Sequence, residues 1–151
     1  MSRIQLALNV SNLDEAVDFY SKLFKSEPAK RRPGYANFAI DEPPLKLVLI
    51  EGGGTPGAIN HLGVEVFSAE EVAGAIEYLS GEGLATDVEK QTTCCFAVQD
   101  KVWVDGPDGS RWEVYTVLAD ADDEHGLGGG ERCCTSASAT TVAAAGSTTC
   151  C

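Results

Sequence analysis

Basic residues are scarce in this chain. Of its 151 residues, 11 are Lys or Arg and 23 are Asp or Glu, which gives a net charge of −12. Nucleic acids and anionic membrane surfaces bind clustered Lys and Arg, so the composition argues against both kinds of partner. No apolar run approaches the roughly 20 residues that span a bilayer. Because Gln5 and Asn9 interrupt the first apolar stretch, it lacks the layout of a secretory signal, and we expect a cytoplasmic protein.

The placement of the cysteines is unusual. The six cysteines fall in three adjacent pairs, Cys94-Cys95, Cys133-Cys134 and Cys150-Cys151. Adjacent cysteines are strained when they bridge each other, and a secreted disulfide framework spreads its cysteines along the chain. We therefore expect reduced thiols, and vicinal thiols are typical ligands of a soft ion. The alternative for the first pair is one small buried hydrophobe beside an incidental neighbour.

The hydrophobic pattern occurs twice along the chain. Apolar and polar residues alternate over 4–10, which predicts a strand, and helical spacing follows over 12–24. Gln5 then corresponds to His61 and Leu13 to Ala69, with the same offset of 56 in both cases (61 − 5 and 69 − 13). The predicted strands are 4–10, 30–32, 35–40 and 45–50 in the first copy, and 59–67, 85–89, 94–98, 101–104 and 111–117 in the second. A second helix is predicted to end near Gly81 or Gly83.

This repeat predicts two βαβββ modules. They cover residues 1–51 and 58–118, and the glycine-rich segment 52–57 joins them. The tail over 119–151 is first acidic and then rich in Ser, Thr, Ala and Cys, so we expect it to be mostly disordered. His125 lies in this tail, where we expect it to be solvated.

Three polar residues are candidates for a metal site. Gln5, His61 and Glu113 each lie on the strand face opposite the apolar one. If the modules pair their sheets into a curved trough, these side chains share its concave side. An imidazole nitrogen, a carboxylate and an amide oxygen suit a divalent ion such as Fe(II), Co(II) or Ni(II). The alternatives are a hydrogen-bonded structural histidine and a surface carboxylate.

Three features of the sequence together resemble a known family. They are the doubled layout, the segment Asn60-His61-Leu62, and the segment Gly-Pro-Asp-Gly-Ser-Arg-Trp-Glu from Gly106 to Glu113. Residues 3–118 resemble the vicinal oxygen chelate superfamily, which includes glyoxalase I, extradiol dioxygenases and bleomycin-type resistance proteins. Gly106 stands where the family commonly has Asp. The resemblance implies an α+β fold, with two βαβββ modules paired into a curved mixed sheet and a metal site in the concave trough.

One position separates the branches of this superfamily. Aligning Leu45-Lys46-Leu47-Val48 with Trp112-Glu113-Val114-Tyr115 places Lys46 where glyoxalase I has a fourth metal ligand. An ammonium group has no lone pair to donate, so a four-ligand glyoxalase site is disfavoured. Extradiol dioxygenases normally have His where Gln5 stands, and bleomycin-type binders need no metal.

With the pair Cys94-Cys95, the chain resembles the carbon–arsenic lyases, iron-dependent dioxygenases that act on trivalent methyl and aromatic arsenicals. The resemblance implies that the two cysteines bind arsenic, that Gln5, His61 and Glu113 hold Fe(II), and that O2 is the co-substrate. Phe96 and Lys101 are expected to line or gate the entrance; the alternatives are a core aromatic and a surface charge. The segment 90–101 is expected to be a moving loop.

Related proteins are also named cadmium-induced proteins. They imply an alternative function, a non-catalytic thiol protein that sequesters Cd(II) or trivalent arsenic. A dioxygenase for catechol-like substrates is a third hypothesis. The linker also permits a homodimer formed by exchange of modules between two chains.

Overall fold

The computed structural model describes residues 2–84, 86–94 and 96–121. In it, the same order of helices and strands occurs twice. The first copy contains β1 (Arg3–Val10), α1 (Leu13–Phe24), β2 (Lys30–Arg32), β3 (Tyr35–Ile40) and β4 (Leu45–Glu51). The second contains β5 (Ile59–Glu65), α2 (Ala69–Gly81), β6 (Asp87–Cys94), β7 (Ala97–Asp105) and β8 (Arg111–Asp120). The predicted βαβββ repeat is therefore confirmed, whereas the boundaries of the two modules stay a prediction.

Both helices begin with the same kind of cap. The side chains of Asn12 and Ser68 accept hydrogen bonds from backbone N–H groups three residues later, and acidic residues occupy each first turn. These features satisfy free N–H groups and complement the helix dipole. The predicted helix starts are thus accurate to one residue. Among the described residues, no helix is long and apolar enough to cross a membrane.

All eight strands of the described chain form one mixed sheet in the order β2-β3-β4-β1-β5-β8-β7-β6. The two copies meet where β1 pairs antiparallel with β5. The sheet is curled so strongly that its two edges meet. Lys30 at one edge donates to the backbone carbonyl oxygen of Phe96 at the other edge, 3.0 Å away. Lys30 also forms an ion pair with Asp120. The predicted curved sheet is confirmed.

The two faces of the curled sheet differ in chemistry. Helix α1 covers the convex face of the first copy, where Leu13 and Val17 join an apolar core with residues of β3 and β4. The concave face carries buried polar residues and, beside them, a second apolar cluster of Ala7, Tyr35, Val48, Ile50 and Cys94. The enclosed trough therefore has both polar and apolar walls.

Three predictions about the second copy were wrong. A single strand over 94–98 is replaced by a hairpin, since Cys94 ends β6 and Ala97 begins β7. Phe96 has a positive φ of 63° in the turn between them. Lys101 lies in the middle of β7, so 90–101 is not a loop. Strand β8 also continues to Asp120, past the predicted start of the tail. The tail beyond residue 121, including His125, lies outside the described residues.

Candidate metal and substrate site

Strand register brings the three candidate ligands together. In the β1–β5 pair, Gln5 lies opposite Gly63 and Ala7 opposite His61, so Gln5 and His61 are diagonal neighbours on one face. In the parallel β5–β8 pair, Gly63 lies opposite Glu113. Gly63 is therefore flanked by Gln5 on one side and Glu113 on the other, and His61 is two residues away from it along β5.

The side chains of these three residues touch. Gln5 Nε2 lies 2.6 Å from Glu113 Oε1 and 3.0 Å from His61 Nε2. His61 Nε2 is 3.3 Å from Glu113 Oε1. The exposed fractions are 4%, 6% and 3% for Gln5, His61 and Glu113, which rules out a surface carboxylate. Their role as metal ligands stays a prediction.

His61 is held in a defined orientation by its neighbour on β5. Its Nδ1 lies 2.8 Å from Asn60 Oδ1, and the Asn60 amide donates in turn to Asn9 Oδ1 over 2.9 Å. An amide oxygen only accepts, so Nδ1 carries the proton in this contact and Nε2 keeps its lone pair. A second partner of this kind commonly orients a ligating histidine.

The Gln5 amide lies between the other two ligands and Tyr115. The Tyr115 hydroxyl donates to Gln5 Oε1, so the amide nitrogen faces His61 and Glu113. Burial, assisted by the charges of Glu65 and Glu113, raises the pKa of Tyr115 well above its ordinary value of 10.0. The phenol is protonated and can donate or accept. A half-turn of the Gln5 amide would therefore keep a bond to Tyr115 and point Oε1 at a cation.

Glu113 is shared between two sides of the trough. Its Oε2 accepts from Lys101 Nζ at 3.0 Å, while Oε1 faces His61 and Gln5. Burial would raise the pKa of Glu113, but the neighbouring His61 and Lys101 side chains outweigh it and hold the pKa below its ordinary 4.5. Lys101 is only 1% exposed, so the alternative of a surface charge was wrong.

This donor set fits a divalent ion. One imidazole nitrogen, one carboxylate oxygen and the Gln5 amide converge, and once that amide turns its oxygen inward the set suits Fe(II), Co(II) or Ni(II). The part of the chain that the structure describes contains no group of three His, Cys, Asp or Glu residues able to hold a metal. In the predicted site the third donor is instead the amide of Gln5.

The alignment of Lys46 with a fourth ligand was wrong by two residues. Ala7 lies opposite Val48 in the β1–β4 pair, just as Gly63 lies opposite Glu113 in the β5–β8 pair. Val48 is therefore the counterpart of Glu113. Its side chain has no donor atom, so the conclusion that the first copy supplies no fourth ligand is unchanged. A shift of two residues keeps each side chain on its face, so the apolar pattern could not reveal it.

A cavity of about 230 Å³ opens beside the three ligands. Cys94 lines it, whereas Cys95 lies outside the described residues. Cys94 is disulfide-bonded in this structure. The expectation of reduced thiols therefore does not hold for Cys94, the one cysteine in the described part of the chain. The other lining residues are Gln5, Ala29, Lys30, Tyr35, Asn37, Lys46, Val48, His61, Ala97, Gln99, Lys101, Glu113, Tyr115, Val117 and Asp120.

Phe96 helps to close the trough. Its ring packs against Tyr35, with centroids 5.5 Å apart, and its carbonyl oxygen accepts the bond from Lys30. It therefore joins the turn of the β6–β7 hairpin to the opposite edge of the sheet. A gating role for Phe96 stays a prediction.

Sequence reasoning missed three residues that shape the site. A Cβ atom at Gly63 would lie 2.9 Å from Glu113 Cγ, so only glycine lets these strands approach without a shift. Tyr115 and Asn60 hold Gln5 and His61. Strand periodicity could have indicated two of these residues. Gly63 lies two residues after His61, and Tyr115 lies two residues after Glu113, so each shares a strand face with a candidate ligand.

Comparison with known proteins identifies the family to which this fold belongs. The family model for the Glyoxalase/Bleomycin resistance protein/Dioxygenase superfamily matches residues 3–114. The chain belongs to this superfamily. Two solved members show the same fold: the Mn(II)-bound glyoxalase from Novosphingobium aromaticivorans (TM-score 0.57, 19% identity, covering 80% of this chain and 42% of that one) and an extradiol ring-cleaving dioxygenase from B. fuscum (TM-score 0.56, 19% identity, covering 82% and 35%).

Two curated relatives are much more similar in sequence. The cadmium-induced protein CadI of Mycobacterium tuberculosis is 66% identical over 122 residues, which cover 81% of this chain and 80% of the relative. The trivalent organoarsenical cleaving enzyme of Thermomonospora curvata is 61% identical over 123 residues, covering 81% and 82%. The resemblance predicted from the sequence is thereby confirmed.

Proposed function

We propose that this chain is a non-haem Fe(II)-dependent dioxygenase that cleaves the carbon–arsenic bond of trivalent organoarsenicals, including methylarsenite and aromatic arsenites, and releases arsenite. The observation that carries the proposal is the convergence of Gln5, His61 and Glu113 beside a cavity that Cys94 also lines. The name of the Thermomonospora relative supports an arsenical substrate.

The thiols of Cys94 and Cys95 are proposed to capture the substrate. Each would replace one exchangeable oxygen on trivalent arsenic, and the second As–S bond forms within one complex, which makes the pair far tighter than a single thiol. Capture needs the thiol form, so the disulfide at Cys94 has to be reduced first. The cytoplasm, where we expect the protein, provides a reducing environment.

The surrounding residues prepare the metal ligands. Asn60 keeps the Nε2 lone pair of His61 available, and Lys101 keeps Glu113 ionised. The Gln5 amide completes the set when its oxygen turns inward. Bound Fe(II) would supply activation of O2 beside the captured substrate. With methylarsenite, CH3As(OH)2 and O2 give As(OH)3 and formaldehyde, a reaction that balances without a further reductant.

The test is product formation by the reduced, Fe(II)-loaded protein. Incubation with methylarsenite in air should release arsenite and formaldehyde in a one-to-one ratio, measured by chromatography with elemental mass spectrometry and a formaldehyde assay. A Cys94→Ser, Cys95→Ser variant, a His61→Ala variant and an anaerobic sample are the controls. Arsenite no higher than in these controls would refute the proposal.

The alternative is a thiol protein that sequesters Cd(II) or trivalent arsenic without chemistry. The name of the 66% identical mycobacterial relative and the adjacent cysteines favour it. It predicts that His61→Ala leaves Cd(II) affinity and cellular protection intact and that no arsenite is formed. The dioxygenase proposal predicts instead that His61→Ala abolishes protection against methylarsenite.

A further inference from the structure

One wall of the cavity carries polar groups that the metal site does not use. Asn37 on β3 lies opposite Val48 on β4, and Lys46 lies two residues before Val48 on the same face. Lys46 is also directly opposite Gln5 in the β1–β4 pair. The two polar side chains thus sit one and two strands away from the Gln5 ligand, on the wall formed by the first copy.

The charge of Lys46 is poorly compensated. Its nearest carboxylate oxygen, Glu65 Oε1, is 3.8 Å from Nζ, and the other oxygen of Glu65 pairs with Arg3. The side chain is only 14% exposed, and burial lowers the pKa of Lys46 despite the attraction of Glu65, while Arg3 and Lys30 add repulsion. A buried cation of this kind is stabilised by an additional anion.

Asn37 has an unused hydrogen-bonding atom. It is 5% exposed, its Nδ2 donates to the Tyr35 hydroxyl at 2.8 Å, and its Oδ1 has no partner. If the amide turned over, Oδ1 would accept from the Tyr35 hydroxyl and Nδ2 would take the unpartnered position. In that orientation the free N–H group could donate to an anion held by Lys46.

The cavity as a whole is positive in an acidic protein. Its described lining includes three ammonium groups, those of Lys30, Lys46 and Lys101, against two carboxylates, Glu113 and Asp120. The whole chain carries −12. The lining thus has a net charge of +1 (3 − 2), and because Lys30 pairs with Asp120 and Lys101 with Glu113, Lys46 is the lining ammonium left to attract a negatively charged ligand.

We propose that Lys46 and Asn37 form a subsite for an anionic substituent on the organic group of the substrate. This inference rests on the proposed carbon–arsenic cleavage. Cys94 belongs to one buried cluster with Tyr35 and Val48 of this wall, so arsenic bound there would hold its organic group in the cavity that Lys46 and Asn37 also line. The preferred substrate class is an aryl arsenite with a carboxylate on the ring.

The test compares 4-carboxyphenylarsenite with uncharged phenylarsenite, using reduced, Fe(II)-loaded protein and arsenite release as the readout. A charge-assisted hydrogen bond corresponds to a preference of about 10- to 100-fold in kcat/KM for the carboxylated compound. We expect Lys46→Met to bring the ratio close to one, mainly through KM, and Lys46→Arg to restore part of it. Lys22→Met, which removes an exposed ammonium on α1, should leave the ratio unchanged.

A binding measurement separates this inference from the proposed function. Benzoate should bind the metal-free wild-type protein at least about tenfold more tightly than benzamide by calorimetry, and Lys46→Met should abolish the difference. Equal turnover of the two arsenites, or equal binding of benzoate and benzamide, would overturn the subsite. Failure to cleave either arsenite while benzoate still binds selectively would overturn the proposed function alone.

Discussion

Replacing Lys101 by Met tests two expected effects of this buried ammonium on Glu113, a proposed metal ligand: it stabilises the metal-free protein and it opposes metal binding. In the metal-free protein, Lys101 compensates the carboxylate of Glu113 across 3.0 Å, and both side chains are buried. Removing one partner of a buried ion pair costs about 3–5 kcal/mol, because a charge is left uncompensated. The neutral contacts of Glu113 with Gln5 and His61 remain, so we expect about 3 kcal/mol.

The same ammonium opposes a cation at the site. Unit charges about 4 Å apart interact by about 4 kcal/mol at an effective dielectric constant near 20. Relief of even about 1.4 kcal/mol of repulsion changes a binding constant tenfold. We therefore expect Lys101→Met to bind Co(II) at least about tenfold more tightly than the wild type, although its metal-free form is less stable.

Urea unfolding of chelator-treated protein measures the first effect, and calorimetric titration with Co(II) measures the second. The matched control is Lys22→Met, because Lys22 pairs with Asp18 at 2.6 Å but is 74% exposed. That pair contributes about 0.5 kcal/mol or less. Equal losses for the two variants would refute the reasoning about burial, and weaker Co(II) binding by Lys101→Met would show that Lys101 mainly positions Glu113.

Three further changes have defined outcomes. Gly63→Ala should lower the free energy of unfolding in urea by about 1–3 kcal/mol and weaken Co(II) binding, because the new Cβ meets Glu113. The control Gly74→Ala lies in open space on α2 and should be stabilising. Equal effects of the two substitutions would contradict this reasoning. Burial lowers the pKa of Lys46, so the folded protein binds that proton less readily than the unfolded chain, and the free energy of unfolding should rise with pH between the lowered pKa and 10.5. Lys46→Met should remove that rise in a pH series. Lys30→Met should speed hydrogen exchange at the β6–β7 turn with a stability loss below about 1 kcal/mol; unchanged exchange would mean that Lys30 does not restrain the turn.

Features that depend on strand periodicity could be predicted from the sequence. Alternation in β1 and β5 placed Gln5 and His61 on one face, and the offset between the copies paired them before any distance was known. The helix caps at Asn12 and Ser68 were visible for a similar reason, because a cap depends on residues a few positions apart. Local rules of this kind act within a single element.

Other features depend on how strands are aligned with one another. The counterpart of Glu113 is Val48 and not Lys46, because hydrogen bonding between strands sets the register and an apolar pattern is unchanged by a shift of two. The β6–β7 turn was missed because Phe96 adopts a positive φ without the glycine or asparagine that usually marks one. The burial of Lys101 could not be predicted from the sequence, because lysine is rarely buried and its contacts with Glu113 and the Trp103 ring depend on the fold.

Because Val48 is the structural counterpart of Glu113 in the first copy, the two copies contribute different groups to the site. The second copy supplies His61 and Glu113, while the first supplies Gln5 and the wall that contains Lys46 and Val48. Substitutions in that wall alter which organic group fits without changing the donor atoms of the second copy. If the proposed function is correct, the range of organic groups could therefore change without a change in His61 or Glu113, although all of these residues line one cavity.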